Sequence, residues 1–195
     1  PGMMEWEIEA ELLHEFRRHG GTAAYSSIVG GGENGCILHY VENSRVLNDN
    51  ELLLVDAGCE YENYASDVTR TYPINGKFTP EQRALYDIVL EAQYAAIDKA
   101  RAGEHWNETH DAAVKVITKG LVKLKILEGR VSQLIETGAY RPFYMHKTGH
   151  WLGLDVHDVG DYRIDGESRL LEPGMVFTIE PGLYVPADDT TVPAK

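Results

Sequence analysis

The chain is poor in features that mark several large protein classes. It holds two cysteines, Cys36 and Cys59, in 195 residues, and no Cys-x-x-Cys pair. That excludes a disulfide framework and leaves a thiolate zinc site without support. Free, buried thiols in a reducing compartment are the expectation. No apolar run approaches the ~18 residues of a membrane span. Cations are outnumbered, with 18 Lys and Arg against 31 Asp and Glu and a net charge of −13. Such a chain grips phosphate backbones and anionic membranes poorly, so neither nucleic acid nor a membrane is an expected partner. Pro1-Gly2-Met3-Met4 lacks the basic-then-apolar pattern of a signal peptide. No short repeat, low-complexity tract or linker interrupts the chain.

What is present suits one folded domain: 43% hydrophobic residues over a length that can bury a core. Residues 3–19 read as an amphipathic helix with Met4, Ile8, Leu12 and Phe16 inward, Gly20-Gly21 as its stop, and Glu5, Glu7, Glu9, Glu11 and Glu15 as a solvated face. Residues 37–41, 52–55 and 64–72 read as strands. Thr79-Pro80-Glu81-Gln82 is a helix start with a capping box. Its helix runs on toward Gly103. A second helix fits residues 107–127 and a short one residues 131–137. Beyond Arg141 the pattern is strand and loop, with residues 175–180 as the clearest strand. Strands at both ends with helices between them predict an α+β fold with a mostly antiparallel sheet.

Four places can carry chemistry. Asp56 ends the apolar run Leu52–Val55, and Asp67 follows 11 residues later. A tight turn at Tyr61-Glu62 would set the two face to face across a hairpin, with Cβ atoms ~4.5–5.5 Å apart. Carboxylates that close repel unless a proton or cation sits between them. The alternative is that Asp67 pairs with Arg70 or caps a turn while Asp56 opens a loop. His146, His150 and His157 crowd into twelve residues; imidazoles bind metals and move protons, but these three can also lack a joint role. The pattern HExxH is absent, so a single-helix zinc site is unsupported. Glu180 ends a largely apolar strand and can ligate a metal or orient water, or can be an edge residue beside a Pro-Gly turn. His39, inside an apolar run, reads as a hydrogen-bonded core histidine. The glycines of Gly30–Gly35 lack a following Lys-Ser or Lys-Thr and read as a turn, not a phosphate loop. Together, two Asp, one His and one Glu form an oxygen-rich ligand set suited to a hard divalent ion such as Mn²⁺, with Fe²⁺, Co²⁺ or Zn²⁺ also possible. Two such ions bridged by carboxylates activate water and polarise a carbonyl.

The ordered segments Ile28–Gly30, Glu33–Tyr40, Val55–Tyr61, Asp67–Pro73, His150–Gly160, Glu172–Met175 and Glu180–Tyr184 resemble the catalytic domain of the aminopeptidase P family, pita-bread metallopeptidases akin to methionine aminopeptidase. The resemblance covers nearly the whole chain. It implies a curved antiparallel sheet flanked by helices and two Mn²⁺ ions. Asp56 would hold one ion and Asp67 would bridge both, with His150 and Glu180 on the second. Glu180 would also be the general base. His39 and His157 would bind substrate and handle protons or charge near the scissile amide, and His146 would lie just behind the metals. The implied reaction releases the first residue of peptides with proline second, in the cytoplasm, from a homo-oligomer when full length. The family has a fifth ligand, a bridging glutamate after the Glu180 segment, with an arginine nearby. Fifteen residues follow Glu180 and none is Glu; Asp188 and Asp189 are the acids there. The chain thus reads as one catalytic domain cut short at the C-terminus and lacking the family's N-terminal domain, so the 195-residue piece alone is expected to bind metal weakly and turn over poorly. A prolidase-like dipeptidase, a creatinase-like hydrolase and a non-catalytic peptide-binding module on the same fold are the competing readings.

Overall fold

Helix α1 (Glu5–Arg18) opens the computed structural model, which describes residues 1–186. Asp188 and Asp189 lie outside the described residues. Strands β1 (Thr22–Ala23) and β2 (Ile28–Gly31) follow, then a 3₁₀ turn (Gly32–Cys36). Next come β3 (Leu52–Ala57), β4 (Cys59–Glu60) and β5 (Val68–Pro73). Helices α2 (Pro80–Ile97), α3 (Trp106–Lys123) and α4 (Val131–Glu136) precede a short hairpin of β6 (Arg163–Ile164) and β7 (Glu167–Ser168). The predicted helices are therefore present, although α2 ends at Ile97, short of the expected stop at Gly103, and among the described residues every strand pairing is antiparallel. Among the described residues no helix is long and apolar enough to cross a membrane.

Contacts divide the chain into two units. The first is Pro1–Arg83 with Leu152–Asp158, the second Ala84–Trp151 with Val159–Lys195. In the first unit β3 is the central strand of a three-stranded sheet in the order β2-β3-β5. Val29, Leu47 and Leu53 form its core, with Ile8 and Leu12 of α1 packed against them. The β3–β5 pairing sets Asp56 opposite Thr69, not opposite Asp67. The predicted register was wrong because the turn is centred on Glu62-Asn63, both in the left-handed region (φ 50° and 66°), with Tyr61 paired to Tyr64. Two successive positive-φ residues are the signature of the turn that matches strand twist. The strand expected from Tyr64 accordingly starts at Val68.

Two further expectations fail in this unit. Residues 37–41 form no strand: the 3₁₀ turn runs to Cys36, His39 takes φ 57°, and Ile37, Leu38 and Val41 stay exposed. His39 is exposed as well, not a core histidine. Glu5 does not belong to a solvated face but is 0% exposed.

In the second unit α2 brings Ile88, Ala92 and Ala96 against Ala113, Ile117 and Leu121 of α3, with Tyr140, Phe143 and Tyr144 closing the core. Small residues on one face let the helices approach, and Ile88 fills the space a Cβ on Gly120 would need. Truncating the fully buried Ile117 to Ala is worth about 2–5 kcal/mol of destabilisation. Helix α2 starts as predicted: Thr79 N–H donates to the Gln82 side chain at 2.9 Å, and Gln82 N–H donates to Thr79 Oγ1 at 3.2 Å. Residues 175–180 are not a regular strand. They pair only at intervals with residues 148–151, through Thr178 N–H to the His150 carbonyl (2.9 Å), Glu180 N–H to the Thr148 carbonyl (2.7 Å) and a Trp151–Phe177 bridge. Alternation still holds locally, because Thr178 and Glu180 share a face and touch.

Candidate metal centre

In the first unit, β3 carries Asp56 near its end and Asp67 immediately precedes β5. Asp56 faces Thr69, and Asp67 lies two residues earlier on the same strand side, so the two acids are diagonal neighbours on one face. The Tyr25 hydroxyl spans them, 2.5 Å from Asp56 Oδ1 and 3.1 Å from Asp67 Oδ1. One O–H carries one hydrogen, so it cannot fully serve both carboxylates. Burial pushes the Tyr25 phenol well above its ordinary value, helped by its hydrogen bond to Asp56 and the charges of both acids. The phenol therefore stays protonated and acts as a donor. Gly58 makes this geometry possible: a Cβ there would run into the Ser66 carbonyl oxygen. That close approach lets Ser66 lock onto Cys59, its N–H donating to the Cys59 carbonyl at 3.0 Å and its hydroxyl at 2.8 Å, which holds the chain just before Asp67.

In the second unit, His150 and Glu180 meet with Nε2 3.1 Å from Oε1. His150 Nδ1 lies 2.9 Å from the Trp151 carbonyl oxygen, which can only accept, so Nδ1 carries a hydrogen. Nε2 then offers either a proton to Glu180 or a lone pair to a cation. This is the arrangement by which backbone carbonyls orient metal-binding histidines. Thr178 ties the pair together: its hydroxyl accepts from His150 N–H at 3.0 Å and donates to Glu180 Oε1 at 2.7 Å. A Cβ at Gly149 would collide with the Thr178 carbonyl, so only glycine permits this approach. Behind it, Thr148 is 2% exposed and bonds both His110 Nδ1 (2.8 Å) and the Tyr144 hydroxyl (2.6 Å). Burial holds the His110 pKa below its ordinary value, assisted by the Lys147 charge. His146 sets its Nε2 2.9 Å from the Tyr184 hydroxyl.

The donors fit a divalent cation. Two carboxylates lie against one phenol hydroxyl in the first unit, and an imidazole with a fixed tautomer faces a carboxylate in the second. Each is a concentration of acceptors that a cation relieves. With no thiolate among them, the donors are oxygen and imidazole nitrogen, as hard and borderline ions prefer. Thus Asp56 with Asp67, and His150 with Glu180, come together as pairs. His39 and His157 are both exposed on the first unit, and His146 is half-buried in the second. Sequence reasoning missed Tyr25, Thr178 and the His110–Thr148–Tyr144 chain. Only Thr178 had a signal, being two residues from Glu180 on the face that alternation assigns to it.

The profile of metallopeptidase family M24 matches residues 1–192. The Xaa-Pro aminopeptidase of Escherichia coli (strain K12) is 56% identical over 196 residues, which cover 100% of this chain and 44% of that protein. The Xaa-Pro aminopeptidase of Haemophilus influenzae is 54% identical over 196 residues, covering 100% of this chain and 45% of that protein. Among solved structures, aminopeptidase PepP of Pseudomonas aeruginosa matches with a TM-score of 0.98 at 58% identity, over 99% of this chain and 44% of that one. A variant of E. coli aminopeptidase P in complex with substrate matches with a TM-score of 0.95 at 55% identity, over 99% and 44% of the two chains. The chain therefore spans a little under half the length of these relatives. Its helices and antiparallel strands are those of the pita-bread fold, and the chain belongs to metallopeptidase family M24.

Proposed function

We propose that the protein is an Xaa-Pro aminopeptidase whose two acid-bearing pairs, Asp56 with Asp67 and His150 with Glu180, hold one dinuclear Mn²⁺ centre. The observation that carries the reading is the His150–Glu180 pair, a metal-ready imidazole beside a carboxylate already oriented by Thr178. The substrate class comes from the relatives, two of which are Xaa-Pro aminopeptidases. Two divalent ions, when bound, polarise the scissile carbonyl and make water a nucleophile near neutral pH.

The chain's own residues supply the rest. Asp56 and Asp67 contribute negative charge, with Tyr25 holding their orientation. Thr178 occupies Oε1 of Glu180, which leaves the other oxygen to take the proton of the attacking water. That proton passes to the proline nitrogen as the C–N bond breaks. The products are the free first amino acid and a peptide beginning with proline. His39 and His157, both exposed on the first unit, would contact substrate near the scissile amide, a role that rests on the family resemblance. Self-association and cytoplasmic residence rest on the family resemblance alone; sedimentation of the protein reads the first and cell fractionation the second.

The test uses the protein with any sequence that naturally flanks this chain, Mn²⁺ and an Xaa-Pro-Xaa tripeptide. Release of the first residue should stop on chelation. Glu180→Ala should lower the rate by about 10³-fold, in the range of a lost general base. Cleavage restricted to Xaa-Pro dipeptides would point to a prolidase-like enzyme instead, and no cleavage by folded, metal-loaded protein would refute the reading.

A further inference from the structure

Helix α1 carries a buried charge that the proposed chemistry does not use. Glu5 is 0% exposed and accepts hydrogen bonds from four donors. Oε1 receives Gly31 N–H at 2.7 Å and Asn34 Nδ2 at 3.1 Å. Oε2 receives the Tyr40 hydroxyl at 2.7 Å and Arg45 N–H at 2.8 Å. Desolvating a carboxylate is costly unless such bonds replace water. Four donors on one carboxylate do so, and they need an acceptor with no hydrogens of its own.

The donors are not scattered. Two precede His39 in the chain and two follow it. Gly31 ends β2, Asn34 sits in the 3₁₀ turn, Tyr40 is next to His39, and Arg45 closes the loop. The Glu5 backbone adds to this by donating to the Arg45 carbonyl at 3.0 Å. Tyr40 is itself 7% exposed, and its hydroxyl also accepts from Ser44 N–H at 3.1 Å. Between these anchors His39 is exposed and takes φ 57°. A non-glycine residue there is strained and persists only where its surroundings enforce it. Asn43, 1% exposed and at φ 44°, secures the same loop to β2 by accepting from Val29 N–H at 2.9 Å and donating to the Ser27 carbonyl at 2.9 Å.

We propose that Glu5 is a positioning residue for His39, its buried carboxylate clamping both ends of the loop that presents this imidazole to the substrate. The proposal rests on the reading of His39 as a substrate contact. Glu5→Gln keeps the shape but turns an NH₂ toward donors, so at least one bond fails. Two measurements test it. The first is amide hydrogen exchange, which should quicken at least ten-fold in residues 37–45 of Glu5→Gln while the strands β3 and β5 keep their protection. The second is a double-mutant cycle on kcat/KM for an Xaa-Pro-Xaa tripeptide with Mn²⁺. Glu5→Gln should lower kcat/KM about ten-fold in the wild-type background, yet less than two-fold in His39→Ala. An unchanged exchange rate in the loop, or an equal penalty with and without His39, would overturn the proposal. Tyr40→Phe removes one of the four bonds without disturbing charge and serves the same two measurements if Glu5→Gln does not fold. Wild-type protein that cleaves no Xaa-Pro peptide would sink the functional reading alone, and the exchange measurement would then decide whether the clamp exists.

Discussion

The two units hold their acidic residues by different means. In the first, Asp56 stands on the central strand of a sheet and Asp67 follows a hairpin turn into the next strand. Six consecutive paired positions between β3 and β5 fix them, and Tyr25 only trims their orientation. In the second, His150 and Glu180 lie on irregular backbone. Intermittent backbone bonds, one threonine hydroxyl and a glycine that permits close contact set their geometry. A ladder distributes the work of placement over many bonds, so any one side chain matters less. An irregular segment concentrates it, so a single hydroxyl matters more.

Single hydroxyl deletions test that contrast most strongly. Thr178→Val removes the bond that orients Glu180 and the acceptor for His150 N–H. It should weaken Mn²⁺ binding about 10–100-fold, the usual effect of losing a group that orients a ligand. Tyr25→Phe should cost at the low end of that range, about ten-fold or less, because the strand ladder still holds both aspartates. Calorimetric titration of each variant checks the order. Equal losses, or a larger loss for Tyr25→Phe, would break the comparison.

A smaller effect is expected at the turn that sets the register of the first unit. Asn63 has φ 66°, where a β-branched residue is strained. Asn63→Val should destabilise the protein by about 1–2 kcal/mol, and Asn63→Gly should be nearly neutral, both read by urea denaturation. A neutral valine would mean that the turn relaxes and the register does not depend on it.

How much of this was legible depended on whether placement followed a local rule. The capping box at Thr79–Gln82 is a local pattern, and the structure forms both of its bonds. Asp56 at the end of a buried run and Glu180 after an alternating one were visible for the same reason. The register of Asp56 and Asp67 was not, since it hinged on which pair of turn residues adopts positive φ. Tyr25 was invisible because nothing in its own segment says that it reaches two residues far along the chain. Glu5 was misread among neighbouring glutamates, although its spacing to Ile8 and Leu12 places it on the buried face of α1. That spacing was a usable signal that residue type concealed.

The smallest effect concerns pH. Burial raises the Glu5 pKa, but the bonds from Gly31, Arg45, Tyr40 and Asn34 outweigh it, so the folded value lies below the ordinary one. A carboxylate depressed in the folded state stabilises the fold above its unfolded pKa and loses that contribution as pH falls through the folded one. Wild-type stability should therefore decline below about pH 4.3 more steeply than that of Glu5→Gln. Parallel pH profiles from urea denaturation would show instead that Glu5 titrates alike in both states.

The central claim is the proposal that Asp56, Asp67, His150 and Glu180 are ligands of one metal centre. Mn²⁺ titration of the protein with Asp67→Asn, Glu180→Gln and the two combined tests it most directly. A shared centre predicts strong coupling: each substitution alone weakens binding at least ten-fold, and the double variant is little worse than the weaker single one. Losses that simply multiply, or a variant that keeps wild-type affinity, would contradict it.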